Sequence, residues 1–333
     1  MSWCDMRHPY TVVRALLLMA ACTTTPAQPT RAPAPSTEPE ADMPPSGLGQ
    51  RDDAATLGPY ATDGPVMLLA HKSAEYSASV NSWLIEGPTE IGLVDAQMVI
   101  PEAEAVVELL KSRNKELAWV WITHAHPDHY AGLAVIAEAF PEVRLLARPQ
   151  TANDAPQLRV RFDEPLQKFF PGLMAAPVEL TPYEAQSLHV DGVEVRIESF
   201  VGGEHGFSTA LSIPVLKAML IADLVYNRVH PWLNEMDVDT LLAHVETLAQ
   251  LEGIETFYPG HGEPFGKDYL PTYVQYVGDF LAEAEVATSP QDLVARVWRR
   301  YRDWRTMAGL RFSATAHMEA RRRAEQGTAE VDG

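Results

Sequence analysis

Cysteine is nearly absent: the 333 residues hold two, Cys4 and Cys22, and both fall in the leader-like stretch at the start of the chain. Beyond Cys22 there is therefore no internal disulfide, no thiolate nucleophile and no sulfur ligand for a metal. Positive charge is also scarce. Lys and Arg number 26 against 45 Asp and Glu, a formal charge of -19, which repels phosphate backbones and anionic head groups and disfavours a nucleic-acid partner. Long apolar runs are missing too, since the stretch Ala15 to Ala21 is too short to span a bilayer. From Thr23 to about Tyr60 there are almost no aromatics, only Pro, Thr, Ala, Ser and acidic residues, which cannot bury enough surface to fold. What remains is 46% hydrophobic overall, enough for a substantial core in one large domain or two modest ones.

The leader combines Arg7 and Arg14 with the apolar run and a Cys after two small residues. It resembles a bacterial lipoprotein signal, in which the Cys becomes the lipidated first residue; Met19 stands where such signals usually carry Leu. An ordinary cleaved secretory signal is the alternative, and a start at Met6 would give a tidier signal. The expectation is export to the periplasmic or outer-surface face with anchoring through Cys22, or else a soluble periplasmic or secreted protein. The chain is thus read as signal and lipobox over 1–22, linker over 23–60, a folded domain over 61–268, and a helical C-terminal extension with a polar tail over 269–333.

Within the domain, β-branched runs predict strands at Val66–Ala70, Val80–Glu86 and Glu90–Asp95, with a tight turn at Gly87-Pro88. Pro101 opens a helical pattern through Lys111, the strand Leu117–Thr123 follows, and a helix is expected from His129 to Phe140. Val143–Arg148 reads as a strand and Thr151–Pro177, with its mixed polarity and prolines, as an irregular excursion over the site. Strands are predicted again at Val193–Val201, Thr209–Pro214, Ala218–Ala222 and Ile254–Tyr258. Helices are predicted at Asp237–Leu251, Tyr269–Glu285 and Pro290–Trp304, and the tail Ala320–Gly333 reads as polar and frayed.

The segment Thr123-His124-Ala125-His126-Pro127-Asp128-His129 packs three imidazoles and a carboxylate into six positions. A packed core has little use for that density of lone pairs, whereas a metal ion needs it. Later strand ends add His205 in Gly-Gly-Glu-His-Gly, Asp223 after Leu-Ile-Ala, and His261 in Tyr-Pro-Gly-His-Gly. This order, His-x-His-x-Asp-His, then His, Asp and Pro-Gly-His-Gly, resembles the metallo-β-lactamase superfamily over roughly Gly64 to Pro264. The resemblance implies an α/β fold, a four-layer αββα sandwich with helices outside and metal loops at one edge. It also implies that His124, His126 and His205 hold a first ion, that Asp128, His129 and His261 hold a second, and that Asp223 bridges them. The pattern departs in two places. Ala131-Gly132 stands for the usual Gly-Gly, and Gly-Phe-Ser follows His205, which makes His205 the weakest of the ligand assignments. Asp95 stands where the family has a supporting Asp that orients a ligand imidazole. His71, His189, His244 and His317 lack a partner pattern and read as structural or solvated.

Two divalent ions, zinc foremost with iron or manganese open, would give a bridging hydroxide and polarise a carbonyl. The expected function is hydrolysis of an ester, lactone or amide-type bond in a small-molecule substrate, with Asp128 and Tyr226 as catalytic candidates. Tyr226, three residues past Asp223, is similar in placement to the Tyr of quorum-quenching lactonases and favours the lactonase branch; packing beside the site is its plainer role. Asn227 and His230 could also reach the cleft. A secreted β-lactamase is the alternative, and an iron-dependent dioxygenase or a noncatalytic metal-binding member is the alternative of another class. Contact with a membrane would come through the lipid anchor alone, and a homo-oligomer stays open. The Arg clusters at 299–305 and 321–323 read as solvated helix faces.

Overall fold

The structure is a computed structural model that describes residues 54–62, 64–235 and 237–329. The leader, Cys22 and most of the expected linker lie outside the described residues. The linker ends sooner than expected, because residues 55–60 form a strand, β1 (Ala55–Tyr60), paired antiparallel with β2 (Met67–Lys72). A seven-stranded sheet continues in chain order through β3 (Asn81–Glu86), β4 (Glu90–Val94), β5 (Glu116–Ile122), β6 (Arg144–Ala147) and β7 (Thr181–Pro182). Pairing is antiparallel up to β4 and parallel from β4 to β7. A second sheet holds five strands, β8 (Ser187–Val190), β9 (Val193–Val201), β10 (Phe207–Ile213), β11 (Ala218–Ala222) and β12 (Thr256–Pro259), with β11 and β12 parallel.

The period-2 alternation of strands divides the interior into three layers. On β5, Trp119 and Trp121 face the second sheet while Val120 and Ile122 face outward. Between the sheets, Trp83, Ile85, Trp119 and Trp121 meet Val195, Ile197, Leu211, Ile213 and Tyr258. The outer face of the first sheet packs on α1 (Ile100–Arg113), α2 (Pro127–Tyr130) and α3 (Leu133–Ala139) through Val106, Leu110, Leu133 and Ile136. The outer face of the second sheet is covered by α5 (Val238–Gln250), α6 (Leu270–Val286), α7 (Pro290–Arg300) and α8 (Met307–Ala329). The result is the expected αββα sandwich, with the C-terminal helices joined to its outer layer.

Three further segments differ from expectation. The excursion at Thr151–Pro177 is largely helical, as α4 (Pro149–Phe169). Pro149 sits in its first turn, where the missing N–H costs nothing, while the exposed Pro156 and Pro165 each remove a backbone bond that the buried Thr151, Ala155 and Arg159 face compensates. The helix expected over His129–Phe140 is two short helices interrupted at Gly132, where a Cβ would run into the carbonyl oxygen of Ala96. The first part of the tail expected to fray belongs to α8, whose Leu310 and Ala314 are buried against the other C-terminal helices. No helix among the described residues is long and apolar enough to cross a membrane.

Strand ends and turns from both sheets meet at one edge. There Thr209 donates its backbone N–H to the Thr123 carbonyl (2.9 Å) and Asn81 to that of Gly260 (2.7 Å), so the loops after β5 and β12 are tied to the opposite sheet and to β3. Asn81 Nδ2 adds bonds to the carbonyls of Pro259 and Gly262.

Candidate metal centre

The loop after β5 supplies His124 and His126, and α2 supplies Asp128 and His129 one turn later. Pro127 in the first position of α2 ends the extended loop and starts the helix, which swings His129 back under His124, their rings 4.2 Å apart. Asp223 follows β11 and His261 follows β12; because these strands are parallel neighbours, both residues emerge at the same end. Gly260 is required here, since a Cβ would collide with the Asp223 carboxylate.

Two groups of donor atoms result. His124, His126, Glu204 and Asp223 each offer one atom within 4.8 Å of the others, and Asp128, His129 and His261 form a second such group. His261 Nε2 lies 3.3 Å from Asp128 Oδ2 and 3.3 Å from Asp223 Oδ2, and His129 Nε2 lies 3.4 Å from the same Asp223 oxygen. His124 Nε2 lies 3.8 Å from it. Asp223 therefore stands between the groups.

The far side of three of the rings is fixed by a protein acceptor. His129 Nδ1 is 2.8 Å from Asp95 Oδ2, His261 Nδ1 is 2.9 Å from the Ala78 carbonyl, and His124 Nδ1 is 3.0 Å from Thr123 Oγ1. Asp95 also accepts from the Thr123 N–H and hydroxyl, so it supports two rings at once. All three imidazoles thus present Nε2 inward, the arrangement by which outer hydrogen bonds set the tautomer of ligand histidines.

His205 stands beside this group rather than in its tetrad, with its ring 4.6 Å from that of His126 and 5.7 Å from that of His124. The preceding Glu204 is the carboxylate that points inward, and nothing in the sequence distinguished it from any acidic residue in a glycine-rich turn. Tyr226 is buried with its hydroxyl 2.6 Å from Asp223 Oδ2 and 3.2 Å from Glu204 Oε1, and its ring is stacked on His261 at 4.9 Å. Asn227 and His230 are elsewhere: Asn227 donates to the Glu263 carbonyl, and His230 is buried against Tyr276 and Trp304. His71 pairs with the buried Glu102 at 2.7 Å, and His317 meets the Leu233 carbonyl. In the Arg cluster at the end of α7, Arg302 lies over the Trp298 ring and Arg300 pairs with Asp279.

These residues fit divalent ions on two counts. Buried polar atoms are nearly always paired, yet His129 Nε2, Glu204 Oε2 and Asp223 Oδ1 are buried without a hydrogen-bond partner. Burying several carboxylates together is unfavourable unless cations join them. Without an ion, histidine protons fill that role. Burial works to depress His261, yet Asp223 and Asp128 lift it to about 10, and the same two carboxylates with Asp95 outweigh burial to hold His129 well above its usual value. His124, by contrast, is driven well down by burial and by its neighbour His129, and His205 falls to about 3 through burial and His126. The centre is a buried anionic cluster that recruits positive charge.

A family model described as the metallo-beta-lactamase superfamily matches residues 78–261. The chain belongs to that superfamily. Among curated relatives, the hydroxyacylglutathione hydrolase of Tolumonas auensis is 30% identical over 87 residues, which is 26% of this chain and 32% of that protein. The chain thus matches about a third of the length of that relative. A beta-lactamase domain protein from Burkholderia ambifaria superposes with a TM-score of 0.54 at 17% identity, covering 81% of this chain and 90% of that one. A metallo-beta-lactamase family protein from Thermus thermophilus gives 0.51 at 19% identity over 70% and 87%. These superpositions support the superfamily fold. All the residues proposed from the sequence as metal ligands lie within or at the end of the matched span.

Proposed function

We propose that the chain is a metal-dependent hydrolase of small carbonyl substrates, with an ester or lactone favoured. The observation that carries this reading is the pair of adjoining donor groups that share Asp223 and leave buried lone pairs unsatisfied. Bound at these groups, two divalent ions, zinc foremost, would supply Lewis acidity and a water acidified toward neutral pH. The chain's own residues orient and select. Asp95, Thr123 and the Ala78 carbonyl hold the rings of His129, His124 and His261 in register. Tyr226 donates to Asp223 at 2.6 Å, which supports a role in positioning the shared carboxylate beside the expected one of assisting a leaving group. Trp232 packs 6.0 Å from His126, and Phe312 lies 5.6 Å from Trp232 and partly exposed. This aromatic wall suits an apolar group on the substrate.

A thioester is the second reading, because the Tolumonas relative is named a hydroxyacylglutathione hydrolase. Purified protein should be assayed for metal content and then against ester, lactone, thioester and β-lactam panels. Both His124→Ala and Asp128→Ala are expected to abolish turnover, and an unaffected turnover number in either variant would retire the site. We also propose that Cys22 anchors the exported protein through lipid. Cys22→Ser should move it from the membrane fraction to the soluble one, and retention in the membrane fraction would refute the anchor.

A further inference from the structure

We infer that Glu204 is a ligand of the first metal ion, in the place that the family pattern gives to His205; this rests on the two-ion reading above. Glu204 is 3% exposed. Its Oε1 lies 3.1 Å from His126 Nδ1, and its Oε2 lies 3.8 Å from His124 Nε2 and has no hydrogen-bond partner. A carboxylate present only to pair with His126 and Tyr226 through Oε1 would be expected to satisfy its second oxygen as well, since an unmatched buried acceptor is costly. That oxygen instead lies toward His124 Nε2, in the donor group to which Asp223 also belongs.

The backbone holds this orientation. Gly202 and Gly203 both have left-handed φ, 78° and 88°. The Gly202 N–H closes a turn onto the Gly206 carbonyl at 3.0 Å, and the Gly203 N–H donates to Asp237 Oδ2 at 3.0 Å. Asp237 directly precedes α5, so the turn is pinned to that helix. The pinned turn directs Glu204 toward the donors and leaves His205 alongside, ring to ring with His126.

With Glu204 in place the two donor sets become alike. The first has His124, His126 and Glu204, the second His129, His261 and Asp128, and Asp223 serves both. Each ion would meet two imidazoles and one carboxylate of its own. A set with more carboxylate oxygen is harder than three imidazoles and lets manganese or iron compete better with zinc.

The test is metal binding and needs no substrate. Loss of an outer partner of a metal ligand costs about 10–100-fold in affinity, so loss of Glu204 as a direct ligand should cost more. In titrations of the full chain with zinc, Glu204→Gln is expected to weaken one of two ions by more than about 100-fold, and His205→Gln by less than Glu204→Gln. If His205→Gln costs as much as Glu204→Gln or more, the inference is wrong. Should the Glu204 variant fail to fold, crystals of the zinc-loaded wild-type protein decide: a Glu204 oxygen within about 2.2 Å of an ion supports the ligand, and one in the next layer out overturns it. Wild-type protein that binds no ion would bring down the two-ion reading itself, whereas two ions held without Glu204 would bring down only this inference.

Discussion

Three of the imidazoles owe their orientation to a partner behind the ring, and of those partners only Asp95 is a carboxylate. It adopts a left-handed backbone, φ 66°, which Asn tolerates as well as Asp. Asp95→Asn therefore keeps an acceptor and the backbone while removing the charge that makes His129 a stronger donor to a cation. On the proposed two-ion reading, affinity for the ion held by His129 should fall by about 10–100-fold, read by competition with a chromophoric chelator; an unchanged affinity would show that the charge of Asp95 is not needed. The residues of this centre were unequally legible. His124, His126, Asp128 and His129 are crowded into one loop, and their density alone implies a metal. Asp95 could be placed only through the family pattern. Glu204 was invisible, because which of two adjacent side chains turns inward depends on the φ values of Gly202 and Gly203 and on Asp237, more than 30 residues away.

Strands with clear alternation were legible as elements, and the layer each side chain enters follows from parity. Gly92 breaks the apolar run of β4 for a reason visible only in three dimensions: the fully buried Trp119 indole lies over it. A methyl group there has no space, and neither strand can shift without disturbing the sheet. Gly92→Ala should destabilise the protein by about 1–3 kcal/mol, the usual cost of overpacking a core, measured as a lower urea midpoint with unchanged slope. A midpoint within error of wild type would mean that the ring moves aside. Helix α4 was illegible for the opposite reason, since its prolines and mixed polarity signal a loop. Its buried face is only Thr151, Ala155 and Arg159, too sparse to register as a periodic stripe.

The C-terminal helices bind the whole molecule to the segment that leads away from the metal centre. The Leu233 N–H donates to Ser313 Oγ, His317 meets the Leu233 carbonyl, and the His230 N–H donates to the Arg305 carbonyl. His230 sits at this junction with Nδ1 2.8 Å from the Tyr276 hydroxyl, and burial pushes its imidazole down to about 3. In the unfolded chain the same group titrates near about 6.5. Between those values the folded protein keeps His230 neutral while the unfolded chain takes up a proton. Its contribution to stability is therefore complete above about pH 6.5 and declines by about 1.4 kcal/mol per pH unit as the pH falls toward the folded value. His230→Gln retains a polar side chain beside Tyr276 and removes the titration. In urea unfolding with chelator present, so that the centre contributes equally to both proteins, the wild type should lose about 2 kcal/mol more than the variant between pH 7 and pH 5. Equal losses would mean that His230 is hydrated and charged in the fold, and that the joint between the sandwich and its C-terminal helices is open to water.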